Sequence, residues 1–197
     1  MKKAEKTRQF IIEKTAPVFN KNGYAGTSIN DLTEVTGLTK GSIYGNFENK
    51  DAVALAAFDY NYSLVLGAVA AKVNERTHAA DKLKAYIAVF AQLYTMPVFQ
   101  YGCPILNTAT EADDTHTGLR NKVKLAIDKW YGGIEGIIKT GQQHKEIKKS
   151  VNSREFAGAF IALIEGGVML AKVTGKSEGL ESALKQARKM IAEIKKQ

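Results

Sequence analysis

A chain of 197 residues with 45% hydrophobic side chains has the length for one ordinary domain, or for a small domain joined to a larger one, and too much apolar content to stay disordered. Its formal charge of +8 points toward a polyanionic partner without identifying one. The single cysteine, Cys103, excludes an intrachain disulfide and any metal site built from several cysteines.

The N-terminal MKKAEKTRQFIIEK holds too short an apolar run for a signal peptide. No segment approaches the run of about 18 apolar residues that spans a membrane, so the expected location is cytoplasmic, with no membrane partner. Phe10, Ile11, Val18 and Phe19 recur at helical spacing and mark a first helix from about Lys3 to Asn22, stopped by Asn22-Gly23. Thr27 or Ser28 caps the next helix, which turns Leu32 and Val35 inward and ends at Gly37. Thr39 caps a short helix that contains Gly41 and Gly45. A Gly in a helix interior costs about 1 kcal/mol relative to Ala, so these two glycines need a reason.

Asn49 caps a long helix from Lys50 to about Glu75, and Leu83, Ile87, Phe90 and Tyr94 mark another that Pro97 ends. Residues 97–103 read as a break, and Pro104 suits the first turn of a short helix to about Asp113. Leu119, Val123, Ile127, Trp130, Ile134 and Ile138 form one long stripe that stops near Gly141. The polar GQQHKEIKKSVN is a loop. Asn152, with Glu155 three residues on, makes a near capping box for a helix to about Val173. Gly175 stops that helix, and Ser177 caps the last one, to about Ile194. With no strand pattern, repeat or low-complexity tract, the fold class is all-α with about nine helices.

Residues 28–47 read as two helices joined by a tight turn at Gly37. Leu32, Val35, Leu38, Ile43 and Phe47 supply the apolar skeleton of a helix-turn-helix. Left outward on the second helix are Thr39, Lys40, Ser42, Tyr44 and Asn46, a set of donors and acceptors suited to phosphates and base edges. Any short amphipathic helix has a polar outer face, so the skeleton alone leaves DNA binding open.

Gly23-Tyr24…Thr27-Ser28-Ile29…Leu32…Val35-Thr36-Gly37-Leu38-Thr39-Lys40-Gly41-Ser42-Ile43-Tyr44…Phe47-Glu48-Asn49-Lys50 closely resembles the N-terminal domain of TetR/AcrR-family transcriptional regulators, over roughly residues 5 to 60. The resemblance implies a helix-turn-helix DNA-binding domain at 1–49 and a helical effector-binding and dimerisation domain at 50–197. It implies major-groove entry by residues 40–46, phosphate contacts from Thr27, Ser28, Tyr44 and Lys50, and Lys40, Gly41, Ser42 and Asn46 nearest the bases. Two departures stand out: Thr33 and Thr36 occupy positions often held by smaller residues, and Gly45 stands where a large aromatic or His is common.

The last two helices carry apolar stripes, Phe156, Phe160, Leu163, Gly167, Leu170 on one and Leu184, Ala187, Ile191 on the other. Such stripes either close the monomer core or form an interface; the resemblance favours a homodimer through this pair. It also implies an enclosed pocket for a small-molecule effector of unknown identity, for which Phe90, Tyr94 and Trp130 are candidates among aromatics that are mostly core. Gly102-Cys103-Pro104-Ile105-Leu106-Asn107 is similar to the Gly-Cys segment of a TetR subgroup that includes the N-ethylmaleimide repressor, in which a cysteine senses electrophiles or oxidants. Cys103 is either such a sensor or a buried residue filling a gap; Asn107 and Glu111, one turn apart, either line the pocket or are solvated.

The expected function is a ligand-responsive repressor that binds a palindromic double-stranded DNA operator as a dimer, with no cofactor. An enzyme using Cys103 would need a base, and His78, His116 and His144 belong to no nucleophile motif. A helical interaction protein without a DNA role would leave the polar face of residues 39–46 unexplained.

Overall fold

The structure, a computed structural model, describes residues 3–196. Among them nine α-helices follow in order: α1 (Lys3–Asn22), α2 (Ile29–Thr36), α3 (Lys40–Tyr44), α4 (Lys50–Asn74), α5 (Ala79–Phe90), α6 (Pro104–Ala112), α7 (Thr117–Gln143), α8 (Ser153–Thr174) and α9 (Glu178–Ile194), with a 3-10 turn at Pro97–Phe99. The described residues form no strand; an isolated antiparallel bridge pairs Ile147 with Lys195. The chain packs as two compact units. One runs to Val65 and takes in Tyr101–Leu125; the other comprises Leu66–Gln100 and the chain from Ala126 onward.

In the first unit, local chemistry sets the helix ends. Ser28 and Asp31 form a reciprocal capping box at the start of α2. Gly37, at φ 66°, closes α2 in the left-handed region with its N–H on the Thr33 carbonyl. Thr39 caps α3 through Ser42 N. Ile11, Leu32, Ile43, Phe47 and Val53 are buried together, flanked by Phe19, Ile29, Leu38 and Tyr44. Each such side chain contributes about 1.5–3 kcal/mol. Val35, expected inside, is exposed; Thr36 takes the inward place, its hydroxyl donating to the Leu32 carbonyl at 2.6 Å. A single helical step separates the two residues, and the hydroxyl's bond to its own backbone lets Thr36 be buried without an unsatisfied polar group.

In the second unit α5, α8 and α9 pack on one another. A Cβ on Gly167 would lie 2.7 Å from Ala183 Cβ and 3.2 Å from the Leu180 Cα, so α8 and α9 approach through this glycine. α5 ends at Phe90 rather than at Tyr94. The Gln92, Leu93 and Thr95 amides donate to carbonyls three residues back, which tightens the chain ahead of Pro97. Ser177 makes no side-chain cap, whereas Asn152 accepts from both Arg154 N and Glu155 N. The membrane expectation also needs correcting. α4 and α8 each contain a stretch of mean hydropathy 1.4 and 1.7, long and apolar enough to cross a membrane by length and composition. Of those stretches 39% and 44% are buried within the fold.

Gly167→Val should lower stability by about 1–3 kcal/mol, the usual cost of overpacking a tight seam. Urea titration followed by circular dichroism measures it, and an unchanged midpoint would contradict the α8–α9 approach.

Candidate nucleic-acid interface

α3 is only five residues long, Lys40–Tyr44. Ile43 pins it to the core at 0% exposure, and Phe47 follows at 3%. Gly45 is therefore not interior: it is the C-cap, at φ −71° and ψ −18°, and its helix-propensity cost falls below the interior value. Beside it a Cβ would meet only the Gly41 and Ser42 carbonyls of its own helix, while one on Gly41 would meet only the Thr39 hydroxyl, at 3.9 Å. Thr39, Lys40, Gly41 and Gly45 are exposed, and Ser42, Tyr44 and Asn46 are half-buried. The Asn46 amide donates to the Ser42 carbonyl at 2.9 Å. The Lys40 ammonium lies 5.9 Å from the Tyr44 ring centroid.

A residue missed in the sequence fixes the far end of α3. Arg8 donates to the Asn46 carbonyl at 2.6 Å and lies 3.9 Å over the Phe47 ring. Arg8 and Asn46 are 38 residues apart, and nothing in the local pattern links them.

The turn before α2 is held more elaborately. Gly23 sits at φ +73°, and a Cβ there would lie 2.5 Å from the Glu111 carboxylate. Glu111, on α6, accepts the Tyr24 and Ala25 backbone N–H groups at 2.7 Å each. Lys50 donates to the Tyr24 and Thr27 carbonyls at 2.9 Å each, with its ammonium 4.1 Å from the Tyr24 ring centroid. The Tyr24 hydroxyl donates to Asp51, and its ring packs edge-on against His116 at 4.5 Å. His116 Nδ1 accepts from Leu119 N at 3.1 Å, which leaves the proton on Nε2. On the same side, the Asn107 amide donates to Asn20 Oδ1, the Asn20 carbonyl and the Tyr101 carbonyl at 2.9, 3.1 and 2.8 Å. Asn20, buried, donates to the Gly102 carbonyl at 3.2 Å.

This geometry engages several candidate DNA contacts inside the protein. Thr27 is fully buried, its hydroxyl donating to the Gly23 carbonyl at 2.6 Å. Ser28 is exposed, but its hydroxyl donates to Asp31 at 2.8 Å and accepts from Asp31 N. Lys50 is half-buried against the two turn carbonyls.

The candidate ligand residues fall into different units. Cys103, at 0% exposure, holds the N-cap position of α6 beside Asn107 and Glu111 in the first. In the second, Phe90 stacks on Trp130 with centroids 5.3 Å apart and planes within 3°, and Phe90 also meets Phe99 at 5.3 Å. Tyr94 is 56% exposed, its hydroxyl donating to the Ala171 carbonyl. Among the candidate dimer residues, Phe156, Phe160, Gly167, Leu184, Ala187 and Ile191 are buried within the single chain, and Leu163 is half-buried. Leu170 is exposed, alongside Met169 and, at 83%, Val173.

Two family models match the chain. One, described as bacterial regulatory proteins of the tetR family, covers residues 11–57; the other, a tetracyclin repressor-like C-terminal domain, covers residues 79–187. A TetR-family transcriptional regulator of known structure from Cytophaga hutchinsonii is 44% identical over 100% of this chain and 98% of its own, with a TM-score of 0.92. The HTH-type transcriptional repressor DhaR of a Mycobacterium species is 24% identical over 90% of this chain and 88% of its own. The reduced form of NemR from Escherichia coli, 19% identical over 97% of both chains with a TM-score of 0.84, shares the fold.

Asp51, accepting the Tyr24 O–H, pushes that phenol from 10.0 up to about 12, with partial burial acting in the same direction. Folding thus favours the protonated phenol: the contribution is complete below pH about 10 and is lost as pH rises through about 12. Tyr24→Phe should be less stable than wild type at pH 8, by a margin that shrinks toward pH 12 in paired urea titrations. A margin independent of pH would contradict the bond.

Proposed function

The chain belongs to the tetR family of bacterial regulatory proteins, and on that footing we propose that it binds a palindromic operator as a homodimer and leaves it when a small effector binds. DNA-binding transcriptional regulation is the family's function. The observation that carries the reading to residues is α3: a five-residue helix anchored from behind by Ile43, with Thr39, Lys40 and Gly41 exposed. In this reading residues 1–49 are the DNA-binding domain and residues 50–197 the effector-binding and dimerisation domain. Lys40, Gly41, Ser42 and Asn46 approach base edges, and Thr39 and Tyr44 approach phosphates. Lys50, Thr27 and Ser28 act from inside, by fixing the turn that leads into α2 and the start of that helix; their engaged polar atoms support that role.

A two-fold operator calls for a two-fold protein. The exposed Met169, Leu170 and Val173 support α8 as the contact surface, with the buried part of the α8–α9 pair shaping it from beneath. The relative DhaR is named a repressor, which favours repression over activation. The buried thiol of Cys103 supports a reversible ligand over a direct electrophile sensor and sets this chain apart from the cysteine-sensing reading. A DNA regulator works where the chromosome is, so the location proposed is the cytoplasm.

Titration of the protein against the DNA flanking its own gene tests the reading. A saturable complex on an inverted repeat is expected, with log K falling steeply against log salt. Lys40→Ala should weaken it roughly tenfold or more, within the 1–3 kcal/mol of a base contact, with the thermal midpoint unchanged; no saturable complex at moderate salt would refute the proposal.

A further inference from the structure

Leu93, Tyr94, Met96, Pro97 and Phe99, with Lys172 of α8, line a cleft of about 340 Å³. We propose that this cleft binds a small amphipathic carboxylate, such as a medium-chain alkanoate, with the carboxylate on Lys172 and the hydrocarbon over Met96 and Phe99. The inference rests on the ligand-responsive reading and gives its effector a chemical class.

The volume is that of a small-ligand site, and Thr95 and Gln100 add polar groups to a wall otherwise made by Leu93, Tyr94, Met96, Pro97 and Phe99. Leu93 and Phe99, each at 1% exposure, form a fixed floor. Tyr94 is more than half exposed yet not loose, because its hydroxyl is tied to the Ala171 carbonyl at 3.0 Å. Its ring is thus held beside the residue that follows Ala171, which is Lys172. Met96 supplies an adaptable wall. The irregular backbone between α5 and α6, which breaks where a continuous helix would otherwise run, builds this side of the cleft.

The charge decides the class. Lys172 makes no ion pair among the described residues, and no carboxylate lines the cleft. Lys172 is exposed, so an anion on it gains the modest attraction of a surface ion pair, to which the apolar wall adds. A wholly apolar ligand would leave the exposed Lys172 ammonium unused, a cation would be repelled, and an inorganic anion would leave the apolar wall unused. An amphipathic monoanion satisfies both parts.

Trp130, the single tryptophan, gives the readout: it stacks on Phe90, which contacts Phe99 of the floor. Hexanoate, octanoate and 1-octanol are titrated into the full-length protein by tryptophan fluorescence and by calorimetry, with wild type, Lys172→Met and Lys172→Arg. The expectation is saturable octanoate binding, roughly two- to fivefold tighter than octanol. Affinity should rise roughly three- to fourfold per methylene from hexanoate to octanoate. Lys172→Met should bring octanoate down to octanol, and Lys172→Arg should restore it. No saturable binding, equal affinity for acid and alcohol, or an octanoate affinity untouched by Lys172→Met would each overturn the proposal. Operator release by octanoate, measured in parallel, separates the two claims. Cleft binding without DNA release refutes the ligand-responsive reading alone, whereas release that persists in Lys172→Met refutes this cleft as the effector site.

Discussion

The placement of α2 and α3 depends on how one turn, residues 23–27, meets its hydrogen-bonding needs. A turn between helices carries backbone donors and acceptors that must find partners. Here the donors, Tyr24 N–H and Ala25 N–H, go to the Glu111 carboxylate, and the acceptors, the Tyr24 and Thr27 carbonyls, go to the Lys50 ammonium. Hydrogen bonds to charged groups contribute about 1.5–3 kcal/mol each, more than a neutral turn makes for itself. An anion on one side and a cation on the other leave the turn little freedom. α2 starts where it ends, and α3 packs on α2 through Leu32 and Ile43. The presentation of Lys40 and Tyr44 thus follows from a carboxylate on α6, a helix in the latter half of the first unit's sequence.

Much of the fold was legible in the sequence because its determinants are local. The caps at Ser28, Thr39, Asn49 and Asn152 and the stop at Gly37 are short-range chemistry. The apolar stripe through Leu32 and Ile43 is a periodicity. What was not legible is long-range. Glu111 meets Ala25 across 86 residues, and Arg8 meets Asn46 across 38; one chain's periodicity carries no information about such pairs. Asn20 was the nearest signal, a polar side chain beside the apolar Phe19 of α1 that is buried and hydrogen-bonded to Gly102 and Asn107.

The α8 and α9 stripes show a second limit. An apolar face announces that it is buried, not against what. Phe160, Leu184, Ala187 and Ile191 are used within one chain. The exposed residues of α8, Met169, Leu170 and Val173, lie on the flank opposite Phe160 and are too few to stand out by pattern. The aromatics behave similarly: Phe90 and Trp130 stack as core, and Tyr94, one turn beyond Phe90 in the expected helix, leaves the core because that helix stops short.

The central claim is that Glu111 holds the 23–27 turn. Amide hydrogen exchange at Tyr24 and Ala25 in Glu111→Ala, compared with wild type, tests it most directly. Exchange at these two amides should accelerate on the order of tenfold or more, since losing a charge-assisted bond removes about 1.5–3 kcal/mol of protection. The core amides of Leu32 and Ile43 should keep their wild-type rates. Unchanged exchange at Tyr24 and Ala25 would show that something other than Glu111 secures the turn, and the account would fail at its base.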